Sequence, residues 1–469
     1  MNVKCQVFTP PNYVEKLLDG VGYDKNLIGK RILENSCGDG NILVEVVQRY
    51  IADCKNNGLS KAMIKDGLAQ DIVGIEIDAK HHKKCIENLN DVLEKEKIPR
   101  VSWKIYNEDF LRREETEKYD YIIGNPPYIT YSEMEKKDQL YLSENYESCK
   151  KGKFDYCYAF IEKSLAVLGN KGKMAYLVPS SIFKTVFGLN LRTIMLPHIS
   201  EIQDYTRDKV FDSVLVKSAI IIMEADHQKQ NLIYRDCSMQ QTVNIRKAAL
   251  SNKWTFHGIR RGKRRFGDYF RVSHSVATLY NDAFVLKDYD VDSNGNYLCK
   301  GYKIEHGLVR ETATPRTFRM GVVEKIIFPY HYENNRLERY DESEIQNFFP
   351  GAYDYLKSHQ VKLLERDSDK NAKWYEYGRS QALSSLNCEK CLVSTVISSN
   401  FVIYKLNKEC IPYAGMYIVP NKDNGEYSLE DAIAILTSNR FKNYVEGIGI
   451  HINGNSLRIT SRDIEDYMF

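Results

Sequence analysis

The sequence predicts an α/β protein with a doubly wound, mostly parallel sheet in its first half, followed by a mixed α+β domain. Up to about residue 230, short apolar runs alternate with helical stretches, which is typical of parallel βαβ units. Beyond that point the segments become irregular, aromatic and rich in charge. A chain of 469 residues is also too long for one hydrophobic core. We therefore expect two domains, 1–235 and 236–469.

The hydrophobic pattern places the elements in order. Apolar runs bounded by polar residues predict strands at 31–35, 72–78, 101–106, 119–124, 173–178, 199–204 and 215–223. Apolar residues spaced three and four apart predict helices at 42–50, 79–95, 159–168 and 429–444.

Composition predicts a cytoplasmic protein without a metal site. The 11 cysteines form no regular framework, and only Cys388 and Cys391 have C-x-x-C spacing, without a second pair to complete a zinc site. The first residues lack the apolar stretch of a signal peptide. No run approaches the ~20 apolar residues that cross a bilayer. We expect reduced thiols and no membrane association.

Positive charge is concentrated in one part of the chain. The formal net charge is only +3, yet residues 231–280 hold ten Lys and Arg against two Asp. A disordered basic loop is one interpretation, but interleaved aromatic residues favour a surface that contacts phosphates. The residues expected to make these contacts are Arg260, Arg261, Lys263, Arg264 and Arg265.

Polar motifs follow four predicted strands, where the ligand site of an open α/β sheet lies. Glu34–Gly40 (ENSCGDG) follows the first strand, Glu76 the second, Asp109 the third and Asn125 the fourth. Glycines at 38 and 40 let a ligand approach the backbone. Glu76 is placed to accept hydrogen bonds from ribose hydroxyls, and Asp109 from an adenine amine.

The spacing of the glycines argues against a nicotinamide dinucleotide. The third glycine of G-x-G-x-x-G is replaced by Leu43, so nothing small is present to admit a pyrophosphate. A nucleoside cofactor without phosphates fits better, and S-adenosylmethionine is such a cofactor.

Asn125-Pro126-Pro127-Tyr128 is the most specific motif. Two prolines stiffen the backbone and donate no hydrogen bonds, so the Asn125 side-chain oxygen and the Pro126 carbonyl can both face outward as acceptors. Two acceptors on the hydrogens of an exocyclic amine favour a pyramidal nitrogen whose lone pair points at a methyl sulfonium. Tyr128 offers a face on which a flipped base can stack. A route through a cysteine nucleophile to cytosine C5 is disfavoured, because no proline precedes a cysteine.

With these motifs assembled, the chain resembles the gamma group of N6-adenine DNA methyltransferases of restriction-modification systems. The resemblance covers essentially the whole chain and is most specific over 5–225. It implies a Rossmann-like S-adenosylmethionine-dependent methyltransferase domain followed by a DNA target-recognition domain. The first motif of the family is closer to Asp-Pro-Ala-Cys-Gly-Ser-Gly, so the contacts to the methionine part stay open. An insertion around 55–71 explains a longer gap before Glu76.

The resemblance also implies roles for individual residues. Phe211 corresponds to an aromatic that contacts the flipped base opposite Tyr128. Segments 374–379 and 448–460 look like parts of recognition domains, with Trp374 and Arg379 expected to contact DNA. The residues expected to bind the cofactor are Phe8, Thr9, Pro10, Glu34, Ser36, Cys37, Gly38, Gly40, Glu76, Ile77, Asp109, Phe110, Asn125 and Phe160.

Two alternative functions stay open at this point. N5-glutamine protein methyltransferases share the NPPY motif and the same amide-methylation chemistry. A DNA-binding protein with a degenerate, inactive methyltransferase fold is the second alternative. We expect double-stranded DNA as the partner, a monomeric protein, and no nuclease domain in this sequence, so that a cognate restriction endonuclease would be a separate chain.

Overall fold

A computed structural model of the protein describes residues 8–208, 210, 216–256, 262–398, 401–421, 425–452 and 456–469. Two compact units are present, Met1–Gly258 and Ile259–Phe469. The division falls after the boundary expected at 235, because two further strands beyond residue 230 join the sheet of the first unit. Each unit is described by itself.

The first unit alternates helices and strands as expected. Its helices are α1 Pro11–Val21, α2 Asn41–Asn56, α3 Lys61–Asp71, α4 Ala79–Glu96, α5 Lys136–Asn145, α6 Cys157–Val167 and α7 Leu189–Met195. Its strands are β1 Ile32–Glu34, β2 Ile72–Ile75, β3 Lys104–Tyr106, β4 Tyr119–Gly124, β5 Leu168–Pro179, β6 Ile199–Asp204, β7 Ser218–Glu224, β8 Asn231–Asp236 and β9 Gln241–Arg246.

One large sheet organises the first unit. Within the described residues it has nine strands in the order β3-β2-β1-β4-β5-β7-β6-β8-β9. Strands β3 to β5 in this order are parallel, whereas β7 runs antiparallel to both of its neighbours. The chain moves outward from β1 to β3 and then returns to place β4 beside β1. The carboxyl ends of β1 and β4 therefore form the topological switch point of the sheet, and the predicted doubly wound, mostly parallel sheet is confirmed.

Both faces of the sheet are covered. Successive residues of β1 enter opposite cores, because side chains alternate along a strand. Ile32 packs in the cluster that contains Leu17 of α1 and Leu43 of α2. Leu33 packs in the cluster that contains Ile161 of α6 and Leu191 of α7. Burial on both faces explains why the central strands are almost entirely apolar.

The predicted insertion at 55–71 is mostly helix. Ser60 begins α3 by accepting a hydrogen bond from the Met63 amide at 3.3 Å. The helix ends directly at β2, where the Asp71 carboxylate accepts from the Gly29 amide at 2.7 Å and from the Tyr50 hydroxyl at 2.6 Å. The insertion is therefore held at the amino end of β2, on the side of the sheet opposite the carboxyl ends of its parallel strands.

The second unit is mixed α+β, as predicted. Its strands are β10 Phe270–His274, β11 Val285–Leu286, β12 Asp290–Val291, β13 Tyr297–Cys299, β14 Tyr302–Ile304, β15 Val309–Ala313, β16 Glu324–Ile327, β17 Tyr330–Glu333, β18 Arg336–Arg339, β19 Lys390–Val393, β20 Val396–Ile397, β21 Ile403–Leu406, β22 Ile411–Pro412, β23 Met416–Pro420, β24 Ile450–His451 and β25 Leu457–Arg458. Its helices are α8 Phe266–Tyr269, α9 Pro315–Arg319, α10 Glu342–Phe348, α11 Pro350–Ser358, α12 Gln360–Leu364, α13 Leu429–Thr437, α14 Asn439–Ile448 and α15 Ser461–Glu465.

Two four-stranded sheets form the centre of this unit, with orders β10-β23-β19-β21 and β11-β16-β15-β22. The single helix expected at 429–444 is instead the pair α13 and α14. Ser438 leaves the helical conformation, and its hydroxyl accepts from the Phe441 amide at 3.2 Å, which starts α14. Ser438 therefore separates α13 from α14, although it stands inside an apolar pattern with helical periodicity.

Within the described ranges, no helix is long and apolar enough to cross a membrane. In the same ranges, no three His, Cys, Asp or Glu side chains are grouped so that they could hold a metal ion.

Replacing Gly40 with alanine tests the fold at the start of α2. Gly40 has φ +85°, and an added Cβ would lie 2.7 Å from Cys85 Sγ. Gly58 is the matched control, since it has φ +72° but nothing within 4 Å of an added Cβ. We expect Gly58→Ala to lower the free energy of unfolding by about 1–2 kcal/mol through backbone strain. Gly40→Ala is expected to lose about 1–3 kcal/mol more through overpacking. Equal losses in urea denaturation would contradict this account.

Candidate active site

A pocket of about 300 Å³ lies at the carboxyl ends of the first four strands. Residues that follow β1, β2, β3 and β4 line it together with residues from the segment 129–160. The lining residues are Phe8, Thr9, Glu34, Asn35, Ser36, Cys37, Gly38, Asn41, Ile42, Glu76, Ile77, Asp78, His81, Glu108, Asp109, Phe110, Asn125, Pro127, Ile129, Glu133, Met134, Glu135, Asp138, Tyr156 and Phe160.

The loops after β1 and β4 meet directly. Glu34 pairs in register with Ile123, so the next residues of both strands leave the sheet side by side. The Ser36 hydroxyl donates to the Asn125 carbonyl at 3.3 Å. Asn125 is thereby fixed against the glycine-rich loop that the sequence assigns to the cofactor.

Asn35 connects the loop after β1 to two neighbouring elements through hydrogen bonds of its side chain. Its side-chain amide donates to the Ser164 hydroxyl at 2.8 Å and to the Tyr176 hydroxyl. Ser164 lies on α6 and Tyr176 on β5, and all three side chains are buried, with Asn35 also lining the pocket. This buried polar junction joins the loop after β1 to α6 and β5.

Glu34 is a buried carboxyl group that lines the pocket. The residue is only 2% exposed, and its Oε2 has no hydrogen-bond partner among the residues that the structure describes. Burial raises the pKa of Glu34 well above its usual value, and the neighbouring Cys85 and Glu76 raise it further. A hydrogen bond from the Leu43 amide acts in the opposite direction. An unpartnered buried carboxyl oxygen of this kind fits a cationic ligand in the pocket.

Glu76 ties the loop after β2 to the glycine-rich loop. One carboxylate oxygen accepts from the Gly38 amide and the other from the Asp78 amide, both at 2.8 Å. Gly38 has φ +52°, and an added Cβ would lie 3.2 Å from the Phe8 ring. The loop therefore needs glycine at this point, and Glu76 holds it with its carboxylate facing the pocket.

Aromatic rings form one wall of the pocket. The Phe160 ring lies 5.5 Å from that of Phe110 and 5.7 Å from that of Tyr156, measured between centroids. Lys163 on α6 donates to the carbonyls of Phe110 and Arg113 and so holds the loop that carries Asp109. Such a wall suits a flat heterocycle, since aromatic faces stack on planar rings.

The pocket is strongly acidic. Among the described residues that line it, none is Lys or Arg. His81 is the single basic side chain in that set, and its ring contacts the Asp39 carboxylate at 2.6 Å. The acidic side chains are Glu34, Glu76, Asp78, Glu108, Asp109, Glu133, Glu135 and Asp138. Four of these carboxylates already pair with cations outside the lining: Asp109 and Asp138 with Arg112, Glu108 with Arg113, and Glu135 with Lys137. The remaining acidic groups of the lining favour a positively charged ligand over a phosphate.

Most residues predicted to act on the cofactor come together here. The pocket contains Phe8, Thr9, Glu34, Ser36, Cys37, Gly38, Glu76, Ile77, Asp109, Phe110, Asn125, Pro127 and Phe160. Three of the predicted residues do not line the pocket. Pro10 directly precedes α1, Gly40 directly precedes α2, and Pro126 is buried. Phe211 lies outside the described residues.

Tyr128 is also not among the residues that line the pocket. Its ring packs against the core cluster that contains Leu17 and Leu43. Burial raises the pKa of its hydroxyl well above the usual value, and a hydrogen bond with Ser218 acts in the opposite direction. The stacking role of Tyr128 stays a prediction.

Several pocket residues were not predicted from the sequence. Asn35, Asn41, Ile42, Asp78, His81 and Glu108 are neighbours of the predicted motifs. The segment after NPPY adds Ile129, Glu133, Met134, Glu135, Asp138 and Tyr156. Only Tyr156 had a usable signal, because it stands four residues before Phe160 at the start of α6 and so falls on the same helix face.

The residues predicted to bind DNA have partners inside the second unit. Arg264 pairs with Glu426 at 2.7 Å, and Arg265 with Asp466 at 2.7 Å. The other contacts are Trp374 Nε1 to Glu342 at 3.1 Å, Arg379 to Asp367 at 3.0 Å and to Asp369 at 3.2 Å, and the Lys263 amide to the Phe469 carbonyl at 3.2 Å. Arg260 and Arg261 lie outside the described residues. Contact with DNA stays a prediction for all of these side chains.

Comparisons with known proteins find relatives among restriction-modification methyltransferases. Residues 42–211 match the family model of the Eco57I restriction-modification methylase. The Type II restriction enzyme and methyltransferase RM.Eco57I of Escherichia coli is 22% identical over 345 residues, which are 62% of this chain and 34% of that protein. The Type II methyltransferase M.BstVI of Geobacillus stearothermophilus is 25% identical over 242 residues, 48% of this chain and 43% of that protein. The chain thus spans less than half of the length of either relative.

A solved structure shows the same fold across both units. The Type IIL restriction-modification enzyme MmeI, solved in complex with DNA, superposes with a TM-score of 0.63 at 14% identity, over 98% of this chain and 64% of that one. Through the matched segment, the chain is homologous to Type II restriction-modification methyltransferases. The family match and the fold imply S-adenosylmethionine as the cofactor, as predicted from the sequence.

Replacing Glu34 with glutamine tests the charge of the pocket. Because the pKa of Glu34 is raised, the ligand-free carboxyl keeps its proton above the usual range, and a bound cation should expel it. We expect S-adenosylmethionine binding to release a proton, and affinity to rise with pH until the raised pKa is passed. Calorimetry in buffers of different ionisation enthalpy measures this release. Glu34→Gln should remove it, while Glu108→Gln, at an exposed pocket residue, should retain it. Unchanged proton release in Glu34→Gln would exclude this role.

Proposed function

We propose that the protein is a site-specific DNA methyltransferase that transfers a methyl group from S-adenosylmethionine to N6 of a flipped adenine in duplex DNA. The observation that carries the proposal is Asn125 at the switch point, joined through Ser36 to the rim of an acidic pocket without Lys or Arg among its described lining residues. The match to restriction-modification methylases over 42–211 supports it.

The chemistry of the pocket fits this cofactor. S-adenosylmethionine carries a sulfonium and an ammonium group and no phosphate, which suits a lining of carboxylates. Glu76 would accept from the ribose hydroxyls, and Asp109 from the adenine amine, beside the ring of Phe160. Glu34 would face the cationic methionine part. When bound, the cofactor supplies an electrophilic methyl group.

Asn125 would act on the target amine. Its side-chain oxygen and the Pro126 carbonyl would accept the two N–H groups of the adenine N6 amine. This geometry favours a pyramidal nitrogen with its lone pair directed at the methyl group. Transfer would form the N–C bond as the sulfonium–methyl bond breaks, and the same two acceptors would stabilise the positive charge on the nitrogen until one amine proton passes to solvent. No covalent intermediate with the protein is needed.

The target base has to leave the duplex to reach this site. Tyr128 would support the flipped adenine, and the packing of its ring against the core would keep that support rigid. Phe211 is the proposed contact on the opposite face of the base. The second unit would act as the target-recognition domain. The protein is expected to act as a cytoplasmic monomer.

Product analysis tests the proposed reaction. The purified protein is incubated with duplex DNA of mixed sequence and with methyl-deuterated S-adenosylmethionine, and the DNA is digested to nucleosides for mass spectrometry. We expect labelled N6-methyladenine in a defined sequence context. Labelled N4-methylcytosine, or label on a glutamine of release-factor protein offered in the same mixture, would contradict the adenine assignment.

Replacing Asn125 with alanine tests the catalytic role. We expect turnover to fall by roughly 10²–10³-fold or more, since one acceptor for the developing charge is lost. Cofactor affinity measured by calorimetry should stay within a few-fold of the wild type. Asn145→Ala is the matched control, because Asn145 ends α5 and its side chain donates only to the Tyr141 carbonyl. Near-normal turnover in Asn125→Ala would refute the assignment.

A further inference from the structure

An exposed apolar turn follows β15 in the second unit. We name it the apolar tip, and it consists of α9 and the residues up to β16. Four large apolar side chains of this fully described stretch are exposed: Phe318 43%, Met320 60%, Val322 45% and Val323 65%. Single exposed apolar residues are ordinary on a protein surface, but a contiguous group indicates an interaction site.

The apolar tip is held in a defined conformation. Thr314 and Thr317 exchange hydrogen bonds between amide and hydroxyl, at 2.9 Å and 3.0 Å, which fixes the start of α9. Pro315 occupies the first helical position. At the other end the Val322 amide donates to the Thr317 carbonyl at 3.0 Å, and Gly321 turns the chain with φ +65°. The exposure is therefore built into the turn.

The base of the apolar tip rests on the rest of the unit. Strands β15 and β16 pair antiparallel beneath it. The Phe318 ring packs on the Tyr404 ring at 4.8 Å between centroids. Met320, Val322 and Val323 are more exposed than Phe318.

Two arginines flank these apolar side chains. Arg316 and Arg319 are exposed, and neither forms an ion pair or side-chain hydrogen bond with another described residue. The nearest acidic groups along the chain are already engaged: Glu311 pairs with Lys325 at 3.4 Å, and Glu324 accepts from the Tyr413 hydroxyl at 2.6 Å. The apolar tip thus carries uncompensated positive charge, in contrast to Arg264 and Arg265, which pair with carboxylates.

We infer that the apolar tip inserts into the minor groove of duplex DNA, an inference that rests on the proposed function. Apolar wedges with flanking arginines are the chemistry by which proteins enter that groove and open a base step. Met320 and Val323 contact bases and sugars, and Arg316 and Arg319 contact the phosphates on either side. The inference thus assigns the phosphate contacts to Arg316 and Arg319, rather than to Arg264 and Arg265, which pair with carboxylates.

The charge of the tip is tested by salt dependence. Binding of the full chain to a duplex that contains its methylation site is measured by fluorescence anisotropy over a range of salt concentrations. Each phosphate contact contributes about 0.9 to the slope of log K against log salt. R316Q/R319Q should therefore reduce that slope by about 1.8. Arg336→Gln, at an exposed arginine of β18, is the control and should leave the slope unchanged.

The apolar part is tested by substitutions that keep the charge. M320S/V323S should weaken duplex binding about tenfold with an unchanged salt slope, because the wedge but no phosphate contact is lost. The minor-groove ligand netropsin should compete with the wild type and much less with M320S/V323S. V361S/L364S is the matched control on α12, where the side chains are 73% and 66% exposed, and it should bind as the wild type does.

The outcomes separate the two proposals. Wild-type protein that methylates and binds DNA, with both tip variants unchanged, would overturn the minor-groove inference alone. Self-association in sedimentation that disappears in M320S/V323S, with DNA binding intact, would overturn it in favour of contact between copies of the chain. Failure of the wild type to bind or methylate DNA would overturn the proposed function and this inference together.

Discussion

The pairing of β1 with β4 is the constraint on which the site depends. Strand order reverses between them, so the carboxyl ends of both strands open into one crevice. The register that sets Glu34 beside Ile123 also sets Ser36 beside Asn125, and one hydrogen bond joins the two loops. A shift of this register by one residue would exchange the two faces of β1 and separate the cofactor loop from Asn125.

The charge of the pocket follows from the same arrangement. The ends of β1, β2 and β3 each bring carboxyl groups to one place, and burying such groups costs free energy because water is removed from charged groups. Glu34 shows that cost as a raised pKa. A cationic ligand offsets it, whereas a pyrophosphate would add to the repulsion. Leu43 in place of a third glycine after β1 and the acidic lining therefore argue independently against the same class of dinucleotide.

The sequence was sufficient to locate those parts of the candidate site that directly follow a strand. Strand β4 and the motif after it could be placed because an apolar run ends directly on Asn125, and Glu76 and Asp109 follow strands in the same way. Asn35 could not be interpreted, because its partners Ser164 and Tyr176 are distant along the chain. The same holds for Arg264 and Arg265: their partners Glu426 and Asp466 lie 162 and 201 residues further on. The end of the first unit was misplaced because β8 and β9 continue its sheet.

We expect the acidic crevice between β1 and β4 to select a cationic nucleoside cofactor. Calorimetric titration of the purified protein with S-adenosylmethionine, NAD and ATP at neutral pH tests it most directly. We expect saturable binding of S-adenosylmethionine and no measurable binding of NAD or ATP. Binding of NAD or ATP with an affinity equal to or higher than that of S-adenosylmethionine would contradict it.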